Sequence, residues 1–166
     1  MAHASTTRRA HNLPRHARPD DRERIAELFA ASERLHASLH PVYFRAEGRL
    51  DPRLVDAIEG TCEQGAVFVV ERERRVVGFV HVELLEPRAR ERARLGRRGH
   101  LDVLVVDPTA RRTGCGRALV DAAAGWVRER GALEVLLTVW AGNRDAERFY
   151  EGLGLIPVSR VMKLAL

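Results

Sequence analysis

Arg111-Arg112-Thr113-Gly114-Cys115-Gly116 decides how this chain reads. The apolar run Leu101-Asp102-Val103-Leu104-Val105-Val106 precedes it and a helix-like segment from Arg117 to Arg130 follows, so the order is strand, glycine turn, helix. A helix start presents unpaired N–H groups and the positive end of its dipole, and glycine lets an anion reach the backbone without meeting a Cβ. The layout predicts a cradle for a phosphorylated group.

Spacing separates three kinds of phosphate loop. A nucleoside-triphosphate loop needs Lys and then Ser or Thr after its last glycine, whereas Gly116 is followed by Arg117 and Ala118. A dinucleotide fingerprint needs a third small residue where Leu119 stands. What remains is Arg-x-x-Gly-x-Gly, preceded by valines and Asp107-Pro108 and followed by Asn143 to Ala146, Phe149-Tyr150 and Leu153-Gly154-Leu155. On these segments, over about residues 66–157, the chain resembles the GCN5-related N-acetyltransferase (GNAT) superfamily. The resemblance implies one α/β domain, with a mixed, mostly antiparallel central sheet flanked by helices and splayed beside the phosphate turn. It also implies acetyl-coenzyme A as cosubstrate and acetylation of a primary amine by direct attack in a ternary complex.

The glycine turn offers backbone N–H groups from Arg112, Thr113, Gly114, Cys115, Gly116, Arg117 and Ala118 to a diphosphate, with Arg111 and Arg117 adding charge. An ordinary tight turn is the competing reading of its two glycines. The resemblance places the pantetheine arm along Leu104, Val105 and Val106. Cys115 has no base beside it in sequence and reads as a small buried filler.

Asn143 and Tyr150 lie two helical turns apart, so their side chains share a face. The resemblance gives Asn143 a hydrogen bond to the cofactor and Tyr150 the protonation of the leaving thiolate. A phenol with a pKa of about 10 is a donor at neutral pH. A helix cap and a core aromatic are the alternatives for the two residues.

Asp102 stands where the diamine acetyltransferase branch has a Glu that deprotonates the amine; its shorter side chain favours a water relay, and a salt-bridged surface Asp is the alternative. His100 and His81 are rival bases, since imidazole titrates at about 6.5. The amine acceptor, a small molecule or a peptide, should enter opposite the cofactor. There His36, His40, Tyr43 and Phe44 either line a pocket or pack between helices.

At 166 residues and 45% hydrophobic the chain fits one domain with one core, and no apolar run reaches the roughly 18–20 residues that span a bilayer. Met1 to His16 carries Arg8, Arg9 and Arg15 without an acidic residue and reads as a disordered basic tail, with the domain over 17–166. Cys62 and Cys115 alone make no disulfide framework, which suits the cytoplasm. No metal is expected. The net charge of +5 raises nucleic acid as a partner, but acidic residues interleave the arginines and aromatics are only 5%, too few for a stacking platform. Two rivals to the enzyme remain, an acyl-coenzyme A sensor without turnover and a basic nucleic-acid adaptor. The resemblance also allows a homodimer.

From Ile25 to Leu39 and from Asp51-Pro52 onward the apolar residues recur at helical spacing, and Ala66–Val70 with Val76–Leu85 predict a hairpin. Glu86 to Gly99 reads as a loop, Leu133 to Trp140 as a strand, Asn143 to about Leu153 as a short helix, and Ile156 to Leu166 as one or two final edge strands.

Overall fold

The computed structural model describes residues 13–45, 48–87 and 96–164. Strand β1 (Arg15–His16) and a short turn of tight helix lead into α1 (Arg22–Leu39) and α2 (Pro52–Glu59). The hairpin β2 (Gly65–Arg72) and β3 (Arg75–Leu85), then β4 (Arg98–Val106), α3 (Cys115–Glu129), β5 (Glu134–Leu137) and α4 (Arg144–Glu151) complete the order. The expected α/β architecture is present: a five-stranded sheet in sequence order, antiparallel from β1 to β4 with β5 parallel to β4.

Local chemistry sets the element ends. Asp51 Oδ1 accepts from the Arg53 N–H at 2.8 Å, Pro52 occupies the first turn where a missing N–H costs nothing, and Gly60 closes α2 at φ 73°. Glu73 and Arg74 both take positive φ, the two-residue turn whose twist matches the flanking strands of the hairpin.

Strand β3 is buried on both faces because its side chains alternate between two cores. Phe79, with Val67 and Val69, packs under Ile25 and Leu28 of α1 and Leu54 and Ile58 of α2. Val80 and Val82, with Leu101, pack under Leu119, Ala123, Trp126 and Val127 of α3. Helices thus cover both sides of the sheet among the described residues, and the sheet opens where two of its strands part.

They part between β4 and β5. Pairing runs only from Arg98 opposite Glu134 to Leu101 opposite Leu137, so β4 from Asp102 to Val106 has no strand on that edge among the described residues. Beside this opening β4 carries a bulge: His81 faces Val103 and Val82 faces Leu101, leaving Asp102 as the extra residue with no partner on β3. A bulge bends its strand and re-aims a side chain. Here it turns the Asp102 carboxylate toward His81.

Four expectations change. Arg15 and His16 are not tail but strand β1, paired with Val69 and Phe68, while residues 1–12 lie outside the described residues. Of the loop expected from Glu86 to Gly99, residues 88–95 lie outside the described residues, and Arg98 and Gly99 already belong to β4. Strand β5 stops at Leu137 instead of Trp140, because Trp140 leaves the sheet to pack against the rings of His40, Tyr43 and Phe44. Ile156 to Leu164 forms no strand, so the edge of β5 stays unpaired among the described residues.

Strand β1 is held by charge. Arg15 donates to both oxygens of Asp21, at 2.7 and 2.9 Å, and also pairs with Glu71 on β2, while the Arg18 N–H adds a third bond to Asp21 at 2.7 Å. The Arg15 guanidinium holds the Asp21 carboxyl below its ordinary value. A depressed native pKa contributes stability that is complete above the unfolded value of about 3.9 and is lost as pH falls through the native one. Asp21→Asn is expected to cost about 1–3 kcal/mol at neutral pH by leaving Arg15 poorly matched. In urea titrations the gap to wild type should stay constant above about pH 5 and close below about pH 4.

Candidate active site

Gly114 caps α3 at φ 91°, a left-handed conformation that a residue with a Cβ adopts only under strain. Having no side chain, Gly114 offers no cap of its own, so the first turn of a fifteen-residue helix relies on other partners. Arg112 also takes positive φ, at 58°, which completes the reversal from the end of β4 into the helix. Thr113 Oγ1 donates to the Ala110 carbonyl and lies 3.3 Å from Cys115 Sγ. Cys115 is 1% exposed, within the core.

Two arginines of the turn also bond backbone carbonyls. Arg111 Nε donates to the Val106 carbonyl at 3.3 Å, and Arg117 Nη2 donates to the Gly152 carbonyl at 3.2 Å, tying α3 to the end of α4. Gly116 likewise answers to α4: a Cβ there would lie 3.0 Å from Cζ of Phe149. Its small size is demanded by helix packing, whatever the ligand demands.

Asn143 caps α4, its Oδ1 accepting from the Ala146 N–H at 3.2 Å. Tyr150 lies on the same helix, its ring edge-on to Phe149 at 5.1 Å between centroids. Burial pushes the Tyr150 phenol up to about 12, so it holds its proton across the whole neutral range.

On β4, Asp102 Oδ2 lies 3.1 Å from Nδ1 of His81. The carboxylate only accepts, so Nδ1 carries the proton and donates. This bond holds the Asp102 carboxyl below its ordinary value, against the opposing effect of desolvation. His81 is 1% exposed and its Nε2 has no hydrogen-bond partner among the described residues, so the ring is sealed from any substrate. Asp102 keeps 31% of its side-chain surface open. His100, on the neighbouring pair, stands 4.0 Å from Glu83, which also meets Arg53 at 3.4 Å.

His36, His40, Tyr43 and Phe44 come together at the C-terminal end of α1, with one residue the sequence reading missed. Trp140 meets Phe44 at 4.7 Å, Tyr43 at 5.3 Å and His40 at 5.4 Å between centroids. His40 Nε2 donates to the Ala141 carbonyl at 2.7 Å, fixing the end of α1 against the stretch that diverges from β4. The signal for Trp140 was its place at the end of an expected strand, where a large ring has only one side of a sheet to cover it.

Among the described residues no group of three or more His, Cys, Asp or Glu could hold a metal ion, and no helix is long and apolar enough to cross a membrane.

Comparison with known proteins places this geometry. Mycothiol acetyltransferase of Thermobispora bispora is 39% identical over 87 residues, covering 52% of this chain and 28% of that protein. That of Beutenbergia cavernae is 44% identical over 61 residues, covering 37% of this chain and 20% of that protein. The chain thus spans less than a third of the curated relatives it matches. A variant of the BH1408 protein from Bacillus halodurans superposes with a TM-score of 0.85 at 26% identity, covering 93% of this chain and 99% of that one. The aminoglycoside acetyltransferase AAC(6′)-Iy, solved with a bisubstrate analogue of coenzyme A, shares the fold at a TM-score of 0.68 and 16% identity, over 92% of this chain and 96% of that one. Residues 24–155 match the acetyltransferase (GNAT) family, and the chain belongs to it.

Proposed function

We propose that this protein transfers the acetyl group of acetyl-coenzyme A to a primary amine by direct attack in a ternary complex. The observation that carries the reading is the open edge of β4 from Asp102 to Val106, which leads directly to the glycine turn at the head of α3. The pantetheine arm would lie against Leu104, Val105 and Val106 like an added strand, and the diphosphate would meet the N–H groups of residues 112–118. The residues fit such a ligand: Gly114 removes any side chain from the helix start, and Arg111 and Arg112 are exposed beside it. The thioester supplies an activated acyl group.

Each protein group then has one task. Tyr150, protonated and partly buried, donates to the departing thiolate. Asn143 caps α4 and thereby places Tyr150; its amide nitrogen is left for the cofactor. Asp102, kept ionised by His81, draws the acceptor ammonium in and passes a proton to water rather than holding it, because a carboxylate with a lowered pKa is a weak base. His81 is a positioning residue, being sealed from substrate.

A pH dependence follows. Asp102 stays ionised to below the ordinary carboxylate range, so its protonation cannot set an acid limb above about pH 5. The rise of kcat/KM with pH should report the acceptor amine, shift when amines of different pKa are compared, and persist in Asp102→Asn at a lower plateau. A limb that stays fixed across acceptors would point to an enzyme group instead.

The acceptor is proposed as a small-molecule amine, the class that the names of the mycothiol and aminoglycoside acetyltransferases suggest, entering beside His36, His40, Tyr43, Phe44 and Trp140. We also propose a homodimer. Ile156, Val158, Val161, Met162 and Leu164 are 73–98% exposed on an unpaired segment, and a second copy would cover them. Neither cysteine forms a disulfide, which supports a cytoplasmic site. Incubation with acetyl-coenzyme A and an amine panel, read by product mass and thiol release, tests the reaction. Coenzyme A binding without thiol release on any amine would make the protein a sensor.

A further inference from the structure

Of the 28 lysines and arginines in the chain only Lys163 is a lysine. A guanidinium stays protonated in proteins and makes no amide, so Lys163 carries the one side-chain amine that could accept an acetyl group. It does not stand at random. Its Nζ lies 5.2 Å from the ring centre of Tyr43, the outer member of the aromatic cluster that Trp140 joins to the diverging edge of the sheet. A cation within about 6 Å of a ring centroid is drawn to the ring's negative face. The ammonium of Lys163 therefore occupies the kind of seat that the acceptor's ammonium would take.

The segment that bears it sharpens the point. Residues 156–164 take part in no strand among the described residues, and Met162 and Leu164 on either side of Lys163 are 86% and 84% exposed. Within the single chain, packing of its neighbours does not account for the position of Lys163; the contact with Tyr43 does.

We propose that the protein acetylates its own Lys163, the C-terminal segment serving as a tethered acceptor; this rests on the N-acetyltransferase reading above. The ammonium first loses a proton to water. The freed Nζ lone pair attacks the thioester carbonyl carbon, a C–N bond forms, and the C–S bond breaks with its electrons going to sulfur. Tyr150 protonates the sulfur and regains a proton from the acylated nitrogen. The products are N-acetyl-Lys163, free coenzyme A thiol and one proton. Acetylation removes the charge, and with it the attraction to Tyr43.

The test uses the full chain and acetyl-coenzyme A with no other amine, read by intact mass and peptide mapping, beside the same enzyme on an amine panel. One acetyl group on Lys163 is expected, absent from Lys163→Arg, and formed at least about tenfold more slowly in Tyr150→Phe and in the heat-unfolded chain. Turnover of panel amines with Lys163 unmodified would overturn the proposal and leave the enzymatic reading standing. So would a label confined to the α-amino group, or one that forms equally fast on unfolded chain. Coenzyme A binding with neither self-labelling nor panel turnover would remove both.

Discussion

Tyr150→Phe should lower single-turnover acetyl transfer by about 10²–10⁴ while leaving coenzyme A affinity within about twofold. The ring lies edge-on to Phe149, and phenylalanine preserves that contact, so helix α4 keeps its place and only the donor disappears. The pKa of about 12 gives the phenol two consequences. It keeps its proton throughout the working range, so the acid is always loaded. Once it has donated, the phenolate is a strong base in a partly buried site and is reprotonated at once, so no basic limb from Tyr150 should appear below about pH 10. Single turnover removes product release from the measurement. If the variant transfers at the wild-type rate, Tyr150 is an aromatic of the α4 packing and the proton comes from water.

The strand, glycine turn and helix were legible because each leaves a local signature: the apolar run to Val106, the two glycines, and apolar residues of α3 at helical spacing. The same holds for the caps at Asp51 and Asn143, whose side chains bond N–H groups two or three residues on. What escaped the reading depends on register and on distant contacts. An acid inside the run Leu101 to Val106 was visible, but nothing local says that Asp102 is the extra residue of a bulge facing His81, because that needs the pairing of β3 with β4. Trp140 fits a strand pattern by itself and leaves the strand only because three rings from the end of α1 receive it. The tail from Ile156 has strand-forming residues but gains nothing from β5, whose paired stretch is only four residues long. Gly116 was read through the ligand, and the structure supplies a second demand on it from Phe149.

That demand makes Gly116→Val a more complex substitution than Gly114→Val. At Gly114 the obstacle is the backbone: with φ at 91°, valine brings strain of about 1–3 kcal/mol and fills the space at the helix start. At Gly116 the backbone is helical and the obstacle is Phe149, whose ring would lie 3.0 Å from a new Cβ, closer than ordinary contact. Overpacking of this kind typically costs about 1–3 kcal/mol, and relief requires α4 to move outward. Tyr150 is the next residue on that helix, so relief of the clash displaces the proposed acid, and a misplacement near 1 Å can cost about 10² in rate. Gly116→Val should therefore lower both the melting temperature and single-turnover transfer, the latter by about 10²-fold at saturating acetyl-coenzyme A. Adding Phe149→Leu makes room for the new methyls. The double variant should recover much of the stability and rate lost by Gly116→Val alone, a coupling between neighbours that independent sites would not show. If instead the loss is entirely in coenzyme A affinity and Phe149→Leu restores nothing, Gly116 serves the diphosphate alone and its contact with α4 is incidental.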